Sequence, residues 1–141
     1  MKSAPEERSP LAEALAAVGD RWTLLLVEAL LEGPVRFNDL QEAIAGIAPN
    51  ILSERLRRLE REGLAVAQPY SERPPRYVYE LTAAGTELAG ALRLLSDWGA
   101  RHREAEPVRH EACGTPLEAR WYCPTCEQPV DDPAETGVHF A

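Results

Sequence analysis

Two groups of residues in this chain have types and spacings suited to chemistry. The first is a quartet near the C-terminus, His110-Glu111-Ala112-Cys113 followed by Cys123-Pro124-Thr125-Cys126. Each pair has two residues between its ligands, and nine residues separate the pairs. Such pairs let each knuckle put both ligands on one side of a tetrahedral ion, and a Cys3His set suits Zn2+. All three cysteines of the chain fall in this window, and three cannot all pair as disulfides within one chain. Four protein ligands would close the coordination sphere, so the ion is expected to be structural and not hydrolytic. The competing reading is a CxxC thiol pair beside an unrelated histidine. A redox CxxC normally opens a helix in a thioredoxin-like fold, which nothing in this pattern supports. His102 lies further away, and His139 reads as spare in a polar tail.

The second group is a set of arginines. Residues 34–80 carry seven arginines, no lysine and seven acidic side chains. Arginine is the residue best shaped for bidentate contact with phosphate and guanine. The flanking segments are acidic and the whole chain carries −8, which disfavours indiscriminate attachment to nucleic acid.

The elements that must position these arginines are legible from periodicity. In Pro49–Glu60, Leu52, Leu56 and Leu59 recur at i, i+4 and i+7 and make one apolar helix stripe. Asn50, Ser53, Glu54, Arg57 and Arg61 point the other way. Arg55 and Arg58 share a different face, where pairing with Glu54 or Glu62 competes with contact to DNA. Pro49 suits a helix start and Gly63 a helix stop. Phe37, Leu40 and Ile44 mark a second short helix, and the turn Ala45-Gly46-Ile47-Ala48 joins the two as a helix-turn-helix.

Upstream, a helix is predicted over Pro10–Val18, with Leu11, Leu15 and Val18 on one face. Gly19 breaks it, and Asp20 caps a helix from Trp22 to Leu31 that is apolar nearly all round. Downstream, Leu64–Ala67 and Tyr77–Leu81 read as strands around a proline-rich tip over Gln68–Arg76. That tip is expected to be too long for a tight turn. Thr82 then caps a final helix with adjoining stripes of Leu88, Leu92, Leu95 and of Ala91, Leu94, Trp98, wide enough to serve a dimer.

The apolar fraction of 45% fills an ordinary core, and no apolar run is long enough to cross a bilayer. A cytoplasmic location is expected. There is no Gly-rich phosphate loop, no recognisable Ser–His–Asp elbow and no open metal site, so an enzyme is not expected. The pattern predicts a mainly α fold with a β-hairpin wing: a winged helix-turn-helix domain with a small C-terminal zinc-ribbon-like appendage. Its expected divisions are a flexible N-terminus over 1–9, a DNA-binding and dimerisation domain over 10–104, a zinc-ribbon-like module over 105–130 and a flexible tail over 131–141.

Several stretches together resemble the HxlR-type regulators, a branch related to MarR-type repressors. They are Asp20-Arg21-Trp22-Thr23-Leu24-Leu25, Arg36-Phe37-Asn38-Asp39-Leu40, Gly46 through Glu60, Gly63-Leu64, Tyr70, Pro74-Pro75-Arg76, Tyr79, Leu81-Thr82 and Trp98. The resemblance covers about residues 10 to 103, and the tail is similar to a zinc ribbon found on some relatives. It implies a homodimer in which each protomer offers a recognition helix to the major groove of an operator and a wing to the flanking minor groove. Many relatives carry Cys-Pro near the start, some as a redox sensor; this chain has Ser9-Pro10. The candidate DNA contacts are Asn50, Ser53 and Arg57 on the helix, Arg58 beside them, and Arg73 and Arg76 on the wing; the candidate metal ligands are His110, Cys113, Cys123 and Cys126. The alternative is a winged helix that binds protein and no longer binds DNA. Trp22, Phe37, Tyr70 and Trp98 are candidates for an effector pocket, although aromatics at helical spacing are more often core.

Overall fold

The computed structural model describes residues 9–130, so the expected tail over 131–141, with His139, and residues 1–8 lie outside the described residues. Ser9 opens α1 (Pro10–Val18) by accepting the Ala12 N–H on its hydroxyl at 3.1 Å. Asp20 opens α2 (Arg21–Leu30). A two-residue strand β1 (Val35–Arg36) leads into α3 (Phe37–Ala43), and Gly46, at φ +81°, makes the turn into α4 (Pro49–Arg61). Helix α4 ends in a Schellman motif. Gly63 sits at φ +71°, its N–H reaches the Glu60 carbonyl, and the Leu64 N–H reaches the Leu59 carbonyl.

The core is built between α2, α3 and α4. Leu52, Leu56 and Leu59 of α4 are buried against Leu26, Val27 and Leu30 of α2 and Leu40 of α3. Each such side chain contributes roughly 1.5–3 kcal/mol on leaving water. The buried stripe of α4 thus anchors the helix, and its other side is left to solvent.

The wing differs from its expected form. Strand β2 (Ala65–Glu72) and strand β3 (Pro75–Leu81) pair antiparallel almost to the tip, so only Arg73 and Pro74 connect them, with a cis peptide between the two. The sheet order is β1-β3-β2, which makes β2 an edge strand. An edge tolerates Pro69, whose missing N–H needs no partner on the open side. A register shift between Pro69 and Ser71 leaves Tyr70 as the extra residue of a bulge.

The final helix also differs. Thr82 does cap a helix, accepting the Gly85 N–H at 3.2 Å, but α5 (Ala83–Thr86) is short and two residues separate it from α6 (Ala89–His102). The start of α5 lies tight against the end of the α4 segment: Thr82 Oγ1 donates to the Gly63 carbonyl at 2.6 Å, and its N–H donates to the Leu64 carbonyl at 2.9 Å. Leu92 is the last residue of α6 in the core, and Leu94, Leu95 and Trp98 are exposed. The chain divides into two compact units between Leu92 and Arg93, inside α6 and ahead of the expected boundary at 104/105. Among its described residues the second unit contains two small hairpins. One is closed by the bridge Arg109↔Pro116, the other by β4 (Trp121–Cys123) and β5 (Gln128–Val130). Among the described residues no helix is long and apolar enough to cross a membrane.

Gly85 is buried, and a Cβ there would fall on the Leu64 carbonyl oxygen. Overpacking against backbone costs about 1–3 kcal/mol. Gly85→Ala is expected to lower stability by that amount in urea unfolding, and Gly90→Ala, where a Cβ meets nothing within 4 Å, to lower it not at all.

Candidate nucleic-acid interface

Beside its buried stripe, α4 is tied to the start of α2 through one carboxylate. Asp20 accepts the N–H groups of Trp22 and Thr23 on Oδ1, each at 3.0 Å, and the Thr23 hydroxyl on Oδ2 at 2.6 Å. Arg55 Nε donates to Oδ1 at 3.1 Å and Arg58 Nη1 to Oδ2 at 3.0 Å. Arg58 Nη2 also donates to the Ala16 carbonyl of α1 at 2.6 Å. The Asp20 side chain keeps only a quarter of its exposure. Partial burial raises its pKa, but hydrogen bonds from the Thr23 side chain and backbone and from Arg55, with the Arg55 charge, outweigh that, and the carboxyl lies below its ordinary value of 3.8.

This network divides the arginines of α4. Arg55 is held by Asp20 and, at 3.1 Å, by Glu54. Arg58, counted among the candidate DNA contacts, is committed instead to Asp20 and Ala16; its expected pairing with Glu54 or Glu62 is replaced by a partner 38 positions away. Arg57 is exposed on the remaining face with Asn50, and neither Arg57 nor Arg61 makes an ion pair among the described residues. Arg73 and Arg76 stand exposed at the wing, equally unpaired.

Between α4 and the wing lies a cleft of about 480 Å3 that Ser53, Arg36, Arg76, Tyr70, Tyr77 and Tyr79 help to line. The Arg36 guanidinium lies over the Tyr70 ring, 4.8 Å from its centroid. Burial, then the charge of Glu60, raises the Tyr79 pKa. Phe37 and Tyr70 share this cleft, but the other two aromatics do not. Trp22 packs on the core, and Trp98 lines a separate cleft within the second unit. Arg36 and Tyr70 were not legible as a pair, because their contact depends on a two-residue strand and a bulge that carry no periodic signal.

In the second unit each expected ligand pair sits at a hairpin turn. His110 Nδ1 lies 3.3 Å from Cys113 Sγ, with Gly114 at φ +71° closing the turn. Hydrogen bonds with the Thr115 side chain and backbone hold the Cys113 thiol below its ordinary pKa. The Cys126 N–H points to Cys123 Sγ at 3.5 Å and lowers that thiol, while Cys126 is raised by its hydrogen bond with Cys123. The donors are of the right chemistry and paired two by two. Among the described residues, however, no three His, Cys, Asp or Glu side chains are grouped closely enough to hold an ion.

A family model described as HxlR-like helix-turn-helix matches residues 17–107. The chain belongs to this family. An uncharacterized HTH-type transcriptional regulator of Mycobacterium tuberculosis is 37% identical over 129 residues, covering 88% of this chain and 81% of the relative. The reduced form of the transcriptional regulator YodB from Bacillus subtilis superposes with a TM-score of 0.57 at 32% identity, over 67% of this chain and 94% of that one. The transcription-factor candidate PA1607 reaches a TM-score of 0.74 at 29% identity, over 89% of this chain and 90% of that one. This HxlR-like chain is thus a member of a family of transcriptional regulators with the winged helix-turn-helix fold.

Loss of the Asp20 network has a distinct signature. Asp20→Ala removes an N-cap, worth about 1 kcal/mol, and charge-assisted bonds worth about 1.5–3 kcal/mol. Asp20→Asn retains a capping oxygen and loses only the charge, so it is expected to cost less. A depressed carboxyl contributes stability above its unfolded pKa and loses it as pH falls through the folded value. The stability gap between the wild type and Asp20→Asn is therefore expected to be full at neutral pH and to close below 3.8, measured by denaturant unfolding across pH.

Proposed function

We propose that this chain is a sequence-specific DNA-binding regulator that acts as a homodimer, with α4 in the major groove and the arginine-bearing wing in the adjacent minor groove. One observation carries the reading: Asn50, Arg57, Arg73 and Arg76 are exposed, and these three arginines make no ion pair among the described residues, while Arg55 and Arg58 are tied inward. A helix enters the major groove with its N-terminal residues at the base edges, which assigns sequence reading to Asn50, Ser53 and Arg57. Arg73 and Arg76 flank the two prolines of the tip, whose fixed φ leaves less entropy to lose when an arginine enters a narrow minor groove. Exposed apolar residues of α1 (Leu11, Leu15) and of α6 (Leu94, Leu95, Trp98) support dimerisation, since a monomer would leave them in water.

Arg57→Ala and Arg73→Ala are each expected to weaken operator binding in a mobility shift about tenfold, the loss of one good contact. Neither lowers the melting temperature. Unchanged binding in both variants overturns the assignment. Binding that does not weaken with rising salt favours the protein-interaction alternative.

The second unit extends the proposal. His110 and Cys113 on one hairpin, with Cys123 and Cys126 on the other, would hold a structural Zn2+ as the tie between them. The ion supplies cross-linking and no hydrolytic chemistry, because four protein ligands leave no open position. Metal analysis of the purified protein is expected to find about one zinc per chain, reduced by Cys126→Ser. Less than about half an equivalent in protein with intact thiols rejects the site.

A further inference from the structure

Duplex DNA separates its major from its minor groove by a single sugar–phosphate ribbon. A protomer that enters both grooves must lay that ribbon across whatever joins its reading helix to its wing. In this fold the joint is the cleft that Ser53 of α4 and Arg76 and Tyr77 of the wing both line. Its charged side chains are Arg36, Arg76 and Asp39, so cations outnumber the single carboxylate. In a chain of net charge −8, this places a basic cleft on the face that carries Asn50 and Arg57.

Arg36 is the best prepared of these cations. It is exposed and makes no ion pair among the described residues. Its backbone is fixed by pairing with Val78, and its guanidinium rests 4.8 Å from the centroid of Tyr70. Tyr70 is the residue that the bulge in β2 leaves out of register, and bulges re-aim side chains. A guanidinium already stacked on a ring loses less rotamer freedom when it meets an anion.

The geometry points to Arg36, positioned by Tyr70, and Arg76 as a clamp on one phosphodiester of the operator ribbon that runs between the two grooves. This rests on the DNA-binding reading above and adds to it a contact outside the helix and the wing tip. The clamp is blind to sequence: it fixes register on the duplex and leaves discrimination to α4.

Fluorescence anisotropy of labelled duplex across a salt series tests it, using DNA selected from genomic fragments and a scrambled duplex of equal length. Arg36→Gln is expected to weaken both duplexes by a similar factor, about tenfold, and to make the slope of log K against log salt shallower by about 0.9. Arg36→Lys keeps the charge and should restore the slope. Tyr70→Ser should cost about threefold alone and nothing further in the Arg36→Gln background, because the ring acts only through Arg36. A wild-type salt slope in Arg36→Gln overturns the clamp, as does a loss confined to the selected sequence. If Arg57→Ala weakens the selected duplex while Arg36→Gln binds as the wild type, the clamp falls and the DNA-binding reading stands. A wild-type protein that retains neither duplex at low salt overturns both.

Discussion

Five hydrogen bonds converge on the carboxylate of Asp20, and they tie the start of α2 to α4. Two come from backbone N–H groups that a helix start would otherwise leave unpaired. Two come from guanidinium groups on α4. Through Arg58 the network also reaches the last turn of α1, so three helices share one anchor. The leucine stripe of α4 supplies the hydrophobic stabilisation and sets which face is exposed, with Arg57 on it. Directional bonds from Arg55 and Arg58 add a fixed tie from that helix to the start of α2.

The same network sorts the arginines of an acidic chain. Within one helix, neighbouring arginines face opposite ways. Arg55 and Arg58 neutralise an internal carboxylate, and Arg57 stays available. Counting arginines over residues 34–80 therefore overstates the surface that could meet a polyanion, since two of the seven are internal fasteners.

Much of this was legible in sequence. The boundaries of α1 and α4, the Asp20 cap, the Gly46 turn and the Gly63 stop follow from local rules, because a helix and its caps are written within a few residues. The hairpin was partly misread. Pro69 and Pro75 have the look of loop residues, yet an edge strand and a strand start both admit proline, so β2 and β3 run almost to the tip and only Arg73 and Pro74 connect them. Strand β1 is too short to carry a period. The partner of Arg58 was hidden for a different reason: Glu54 and Glu62 are close in sequence, and Asp20 is close only in space. The cleft beneath the wing was hidden in the same way, since it is assembled from three strands and two helices.

The first turn of α1 has a consequence for how the protein meets its surroundings. The resemblance to the HxlR-type regulators implies a thiol at this place; this chain has the Ser9 hydroxyl, which accepts the Ala12 N–H. A thiol at such a place ionises, oxidises and can be bridged to another sulfur; an alcohol does none of these under mild oxidants. The helix therefore starts in the same way in oxidising and in reducing conditions. Of the chain's sulfur nucleophiles, all three sit beyond residue 110, in the second unit. Any response of this protein to peroxides or electrophiles through a cysteine would begin there, at a distance along the chain from α1.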